Sequence, residues 1–322
     1  MLMPVLLFLL GLVLLIKGGD WFVDGATGVA ERFHVPELII GATVVSIGTT
    51  LPEVMVSATS ALSGHGEIAY GNAIGSIICN TALIAALTVA IRPAPVDPKN
   101  LVVPVMFFFF AAAIYCVNTY LFKSFGRPIG FTLLAIFVCY MIFTIRQGFK
   151  NPAPQEEGSE ENTQKRSLTY FLILLVIGAV LIAIGADLLV DNGTLIAKAL
   201  GVPESVIALT FVALGTSLPE LVTAITSLVK GHGSLSLGNI IGANIFNLVL
   251  VSGVSAALKP FTIPQNSTIA GMNASLILDI PLMLFVMAFL TLPALATRKL
   301  HRYQGIVLLA VYFAFCAVQF LM

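Results

Sequence analysis

Charge is what this sequence has least of. Lys and Arg together number 16, and Asp and Glu 16, so charged side chains make up 10% of 322 residues. Soluble chains carry about a quarter, which excludes an ordinary two-domain soluble enzyme. The two signs cancel, leaving no basic field for nucleic acid and no acidic tail. Cysteine is scarce too. Cys79, Cys116, Cys139 and Cys316 all lie in apolar runs and form no CxxC pair, which argues against a disulfide framework or a zinc site. They read as small packing residues. The chain has no HExxH, no GxSxG and no GxxxxGK[ST], so neither an intramembrane enzyme nor a nucleotide-driven pump is indicated. The expectation is a non-enzyme with no cofactor, and no protein partner can be inferred.

What the sequence has in abundance is apolar surface. Hydrophobic residues make up 58% of the chain and the mean hydropathy is +1.01. A membrane helix needs about 20 mostly apolar residues. Ten runs qualify: 4–24, 38–62, 69–91, 101–121, 129–147, 168–190, 205–229, 235–257, 275–295 and 304–321. The first lacks a basic leader and a cleavage site, and reads as a retained span. The expected fold is an all-α polytopic membrane protein of ten transmembrane helices. The polar stretch RQGFKNPAPQEEGSEENTQKRS reads as a flexible linker. It divides the chain into a first five-helix unit, 1–147, a linker, 148–167, and a second five-helix unit, 168–322.

Basic residues set the expected orientation. With Lys17 set aside as intramembrane, one side collects eleven: Arg32, Arg92, Lys99, Arg146, Lys150, Lys165, Arg166, Lys230, Arg298, Lys299 and Arg302. The other side collects four: Lys123, Arg127, Lys198 and Lys259. Both termini are therefore expected outside and the linker in the cytoplasm.

Shifted by 167, the sequence matches itself without a gap. Residues 36–83 over 203–250 agree at roughly 22 of 48 positions, and GGDWFVDGAT (18–27) lies over GADLLVDNGT (185–194). The chain is a duplication. Five spans per copy is odd, so the second copy is expected to enter the membrane from the opposite side. Inverted repeats of this kind recur in secondary transporters, with the substrate site between the halves near the midplane.

The second and seventh runs carry GTTLPE (48–53) and GTSLPE (215–220) near their centres. Gly48 with Pro52, and Gly215 with Pro219, weaken the helix and free carbonyls near 46–49 and 213–216. Glu53 and Glu220 follow directly. A carboxylate at a helix centre costs roughly 3 kcal/mol on insertion scales, and intramembrane acids point to function. The third and eighth runs add GNAIGSIICN (71–80) and GNIIGANIFN (238–247). Asn72, Ser76 and Asn80 share one helical face, and Asn239 and Asn247 the corresponding one. Gly71, Gly75, Gly238 and Gly242 read as packing residues. With Thr49, Thr50, Thr216 and Ser217 the donor set is all oxygen. That suits a hard cation such as Ca²⁺, while Zn²⁺ or Cu²⁺ would be expected to recruit nitrogen or sulfur.

These paired motifs resemble the α-repeats of the cation/calcium exchanger superfamily, most closely its prokaryotic sodium/calcium exchanger branch. The resemblance implies a secondary antiporter of the prokaryotic inner membrane, exchanging Ca²⁺ for Na⁺ by alternating access, with inorganic cations and the bilayer as partners. It implies four central helices, the second, third, seventh and eighth, across which the first and sixth slide. Glu53 and Glu220, with the Thr49 and Thr216 carbonyls, would bind Ca²⁺. Na⁺ would use the carbonyls of Ser46 and Ala213 and the hydroxyls of Thr50, Ser76 and Ser217, alongside Glu53 and Glu220. Asn80 and Asn247, with Asn72 and Asn239, would form a central polar layer. Two positions depart from the family pattern: Asn247 stands where the second repeat often has Asp, and Ala243 where a second GNxIGS would have Ser. Ca²⁺/H⁺ exchange on the same scaffold is the alternative, and a cation channel a further one. Asp20, Asp24, Asp187 and Asp191 are expected at helix ends of the sliding pair. His65 and His232 are expected in matching loops, and Asp279 at a helix terminus.

Overall fold

The computed structural model describes residues 2–151, 166–200, 215–265, 268–269 and 271–321. It is a helical protein. In chain order the helices are α1 (Leu2–Phe33), α2 (Glu37–Leu62), α3 (Gly66–Ile91), α4 (Pro98–Phe122) and α5 (Arg127–Lys150). After the linker come α6 (Leu168–Ala199), α7 (Leu218–Lys230), α8 (Gly233–Leu258), α9 (Ser275–Thr297) and α10 (Arg302–Leu321). Among the described residues, nine helices are long and apolar enough to cross a membrane. The exception is α7, because much of the expected run 205–229 lies outside the described residues.

Local chemistry sets several boundaries. Asp97 caps α4, its carboxylate accepting from the Lys99 amide at 3.0 Å, and Pro98 fills the first helical position. The two Gly-His-Gly turns, 64–66 and 231–233, repeat in backbone as well as sequence. Gly64 (φ +92°) and Gly231 (φ +90°) each close a helix in the left-handed region, where glycine avoids the Cβ clash. Two small antiparallel ribbons, which the sequence reading did not foresee, join loops at helix ends. β1 (Ser124–Phe125) pairs with β2 (Phe261–Thr262), and β3 (Thr268–Ile269) with β4 (Met272–Asn273).

α2, α3, α7 and α8 pack together at the centre, and α8 is the most buried of the spans. α4, α5, α9 and α10 lie around this group. α1 and α6 run along each other as the most extensive helix pair and touch α7. Glycine permits their close approach: a Cβ at Gly18 would lie 2.9 Å from the Gly178 carbonyl, and one at Gly178 would lie 2.8 Å from the Gly18 carbonyl. Gly238 and Gly242 likewise pack against Leu38 and Ala42 of α2. Gly71 and Gly75 have no described atom within 4 Å of such a Cβ. The residues that the repeat sets against them, 205 and 209, lie outside the described residues.

Candidate cation site

The central helices are not regular. A π-turn over Gly41–Val45 lies in α2, and two more begin at Asn80 in α3 and Asn247 in α8. The sequence reading placed the irregularity of α2 at Gly48–Pro52. Instead the helix runs unbroken over Ser46–Leu62 with Pro52 inside it. The five-residue π-turn that ends directly before Ser46 carries the irregularity, while Pro52 still withholds a donor from the Gly48 carbonyl. In the second copy the irregularity is where the motif puts it. Gly215–Ser217 form a turn, and α7 starts at Leu218 with Pro219 in its first turn.

These helices bring Glu53 and Glu220 to the centre, each fully buried, and the Glu220 carboxylate acts electrostatically on Glu53. No oxygen of either makes a hydrogen bond within the described residues. The hydroxyls of Thr49 and Thr50 face Glu220. The same central helices carry further buried polar atoms without described partners: Thr50 Oγ1, Ser217 Oγ, and both amide atoms of Asn80 and of Asn247. Ser76 is buried on α3. Ala213 lies outside the described residues, so its carbonyl has no described place.

Unsatisfied buried polar groups cost about 1–3 kcal/mol each, and more when charged. A cluster of this size at the core of a membrane protein is a site prepared for a ligand. The orphans are carboxylate, hydroxyl and amide groups, which suit a hard cation.

Asn72 and Asn239 play a different part. Thr49 Oγ1 donates to Asn239 Oδ1 at 3.2 Å, and Thr216 Oγ1 donates to Asn72 Oδ1 at 3.3 Å. These are the same bond in the two copies, each stitching one half to the other. Both amide oxygens are thereby occupied, and the pair fixes helix position. Asn72 Nδ2 also donates to Ser57 Oγ at 2.8 Å, whereas Asn239 Nδ2 has no described partner. The repeat explains the difference, because Ala224 stands where Ser57 has its counterpart. The Ser46 hydroxyl is 2.8 Å from the Gly41 carbonyl and 3.0 Å from the Asn239 carbonyl, so it too binds helix to helix.

One neighbour escaped the sequence reading. Cys79, a packing residue by its apolar run, lies beside Ser217 and Glu220, with the Tyr312 hydroxyl of α10 at 3.8 Å. Its position just before Asn80 was the available signal.

The site is covered by α1 and α6. Phe22, with Ala179, Ile182 and Ala183, sits over Gly48, Thr49, Pro52 and Pro219, and the void between them is about 10 Å³, room for one water at most. The four acids of this pair are not at helix ends, as expected. Asp20 and Asp24 lie within α1, and Asp187 and Asp191 within α6, because each helix runs 32 residues, well past its apolar core. Asp279 closes the π-turn that opens α9, and its Oδ1 accepts from Gln319 Nε2 of α10 at 3.1 Å.

Long apolar helices around a sealed pair of carboxylates define a polytopic membrane protein of the ion-transporting class. The chain belongs to the sodium/calcium exchanger protein family, whose model matches residues 3–146 and 170–321. It is 37% identical over 308 residues to an uncharacterized membrane protein of Methanocaldococcus jannaschii, covering 95% of this chain and 94% of the relative. It is 29% identical over 358 residues to the sodium/calcium exchanger MaX1 of Methanosarcina acetivorans, covering 98% of each. Among solved structures it resembles the sodium-calcium exchanger NCX_Mj soaked with 2.5 mM Na⁺ and 10 mM Sr²⁺. That match has a TM-score of 0.82 at 35% identity and covers 98% of both chains.

Proposed function

We propose that this protein is a secondary antiporter that exchanges Ca²⁺ for Na⁺ across the membrane by alternating access. The observation that carries the reading is the buried pair Glu53 and Glu220, whose carboxylate oxygens have no hydrogen-bond partner among the described residues. Two carboxylates neutralise one divalent ion. Thr49 and Thr216 supply Ca²⁺ with carbonyl oxygens. Na⁺ takes the hydroxyls of Thr50, Ser76 and Ser217, the carbonyls of Ser46 and Ala213, and the same two glutamates. Asn80 and Asn247 fill the middle of the site, while Asn72 and Asn239 hold its walls.

The ten spans form two inverted five-helix units, 1–147 and 168–322, joined by the linker 148–167. Both termini face outside and the linker faces the cytoplasm, in a prokaryotic plasma membrane. The experiment is ⁴⁵Ca²⁺ uptake into proteoliposomes preloaded with Na⁺, K⁺ or buffered protons. Uptake driven by the Na⁺ gradient alone is the expected result. Uptake driven only by protons would replace the reading with Ca²⁺/H⁺ exchange. Rapid flux needing no counter-ion would replace it with a channel.

A further inference from the structure

The turn between α7 and α8 reads Lys230, Gly231, His232, Gly233. Both of its cationic side chains are engaged, by different elements. Lys230 Nζ is 2.7 Å from Asp24 Oδ1, 3.5 Å from Asp20 Oδ1 and 2.9 Å from the Asp20 carbonyl, all on α1. His232 Nδ1 is 2.6 Å from Glu37 Oε1 in the first turn of α2. The turn therefore fastens the end of α7 to α1 on one side and to the start of α2 on the other. The matching turn of the first copy has Ser63 at the position of Lys230, so it offers Asp187 and Asp191 of α6 no such tether. The lysine tether therefore belongs to this turn, while residue 204, which the repeat sets in the place of Glu37, lies outside the described residues.

Because α1 and α6 seal the two glutamates, a cation reaches them only when this pair shifts against α2 and α7. We propose that Lys230 with Asp20 and Asp24, and His232 with Glu37, form a proton-sensitive latch that holds α1 closed over the site on the Lys230 face. The proposal rests on reading Glu53 and Glu220 as the transport site. When protonated, His232 makes a charged hydrogen bond to Glu37, and when neutral it keeps only an ordinary one. The charged groups acting on His232 are Glu37 from α2 and Glu31 and Asp24 from α1, all acidic. The hydrogen bond from Glu37 is the largest influence holding the imidazole above its usual range, and partial burial opposes it. The charged pairing is therefore complete below the ordinary histidine value and is lost as pH rises through the raised one.

The test uses the full chain purified in detergent, with its four cysteines replaced and Thr226→Cys added. Thr226 Oγ1 lies 2.8 Å from where a Cβ on Gly19 would sit, so α1 covers a thiol there while the latch is closed. Thiol modification is compared between the His232 chain and the His232→Gln variant at each pH, which cancels the chemistry of the thiol itself. At about pH 6 the His232 chain reacts more slowly by about two- to fivefold, the range that an exposed ion pair supplies, and by about pH 9 the two rates converge. A Lys230→Met variant reacts faster than the parent at every pH. A ratio of one at every pH, or a constant ratio, overturns the latch whatever the flux assay shows. If the ratio changes as expected while Na⁺-driven ⁴⁵Ca²⁺ flux is absent, the latch stands and the transport reading falls.

Discussion

Two glutamates carry the site, and they can be tested singly. Glu53→Gln and Glu220→Gln each remove one of the two charges that a divalent ion needs, without changing shape. At an effective dielectric near 20, one charge pair about 4 Å apart is worth about 4 kcal/mol per unit charge, or about three orders of magnitude in affinity. Each variant should lose Ca²⁺ transport while its folded yield and melting temperature hold, because a buried neutral amide costs the membrane less than a carboxylate. Tracer flux and thermal unfolding on the same preparations check this. Wild-type flux in either variant would reject the assignment. These residues were legible because an acid in an apolar run is anomalous wherever it occurs. The partners of Asn72 and Asn239 were not, since Thr216 and Thr49 lie 144 and 190 residues away in sequence. The same holds for Lys230 with Asp24 and His232 with Glu37, 206 and 195 residues apart. Period and spacing report which face a residue occupies, and they say nothing of what the fold later sets against that face.

Helices were legible as apolar runs, and their ends were not. α1 was read as 4–24 and spans Leu2–Phe33, about 48 Å at 1.5 Å per residue, against a hydrocarbon core of about 30 Å. The extra turns hold Glu31 and Arg32, which a hydropathy criterion counts as loop although the backbone stays helical. π-turns escaped for a related reason. Their extra residue leaves composition unchanged, and only the backbone hydrogen bonds reveal it. The α1–α6 contact makes a test at this scale. A Cβ at Gly18 would lie 2.8 Å from the Ile182 amide and 2.9 Å from the Gly178 carbonyl, and backbone cannot yield as a side chain can. Gly18→Leu should therefore push the two helices apart and destabilise the fold by about 1–3 kcal/mol, as overpacking does. Thermal unfolding in detergent reads it, with Leu9→Ala, at an exposed position of the same helix, as the neutral control. An unchanged melting temperature would mean that the pair is looser than its glycines indicate.

For the molecule as a whole, duplication was the most legible feature, since two motifs at one offset of 167 fix the pairing of the copies. Orientation rests on the eleven-to-four distribution of basic residues, and a single Ser159→Cys in a cysteine-free chain tests it. The linker should resist impermeant thiol reagents in intact cells and react after permeabilisation, and strong labelling from outside would reverse the orientation. The net charge of the loaded site sets a further property, the ion ratio. Asn80 and Asn247 are neutral, and Ala243 stands where the first copy has Ser76, so two glutamate charges are all the site brings. One Ca²⁺ balances them and so do two Na⁺, whereas three Na⁺ leave an excess of one positive charge in a cavity closed to water. Repulsion of about 4 kcal/mol per unit pair about 4 Å apart at a dielectric near 20 opposes the third ion, and the hydroxyl missing at Ala243 withholds a ligand that would offset it. The expected exchange is two Na⁺ per Ca²⁺, electroneutral and independent of K⁺, because no third carboxylate is present to hold K⁺. Reversal measurements in proteoliposomes under set Na⁺ and Ca²⁺ gradients check it. Flux should reverse where the squared Na⁺ gradient equals the Ca²⁺ gradient, and an imposed membrane potential should not move that point. A three-to-one ratio would mean that backbone or water oxygens carry the extra charge, and the count of side-chain charges would then not govern the stoichiometry.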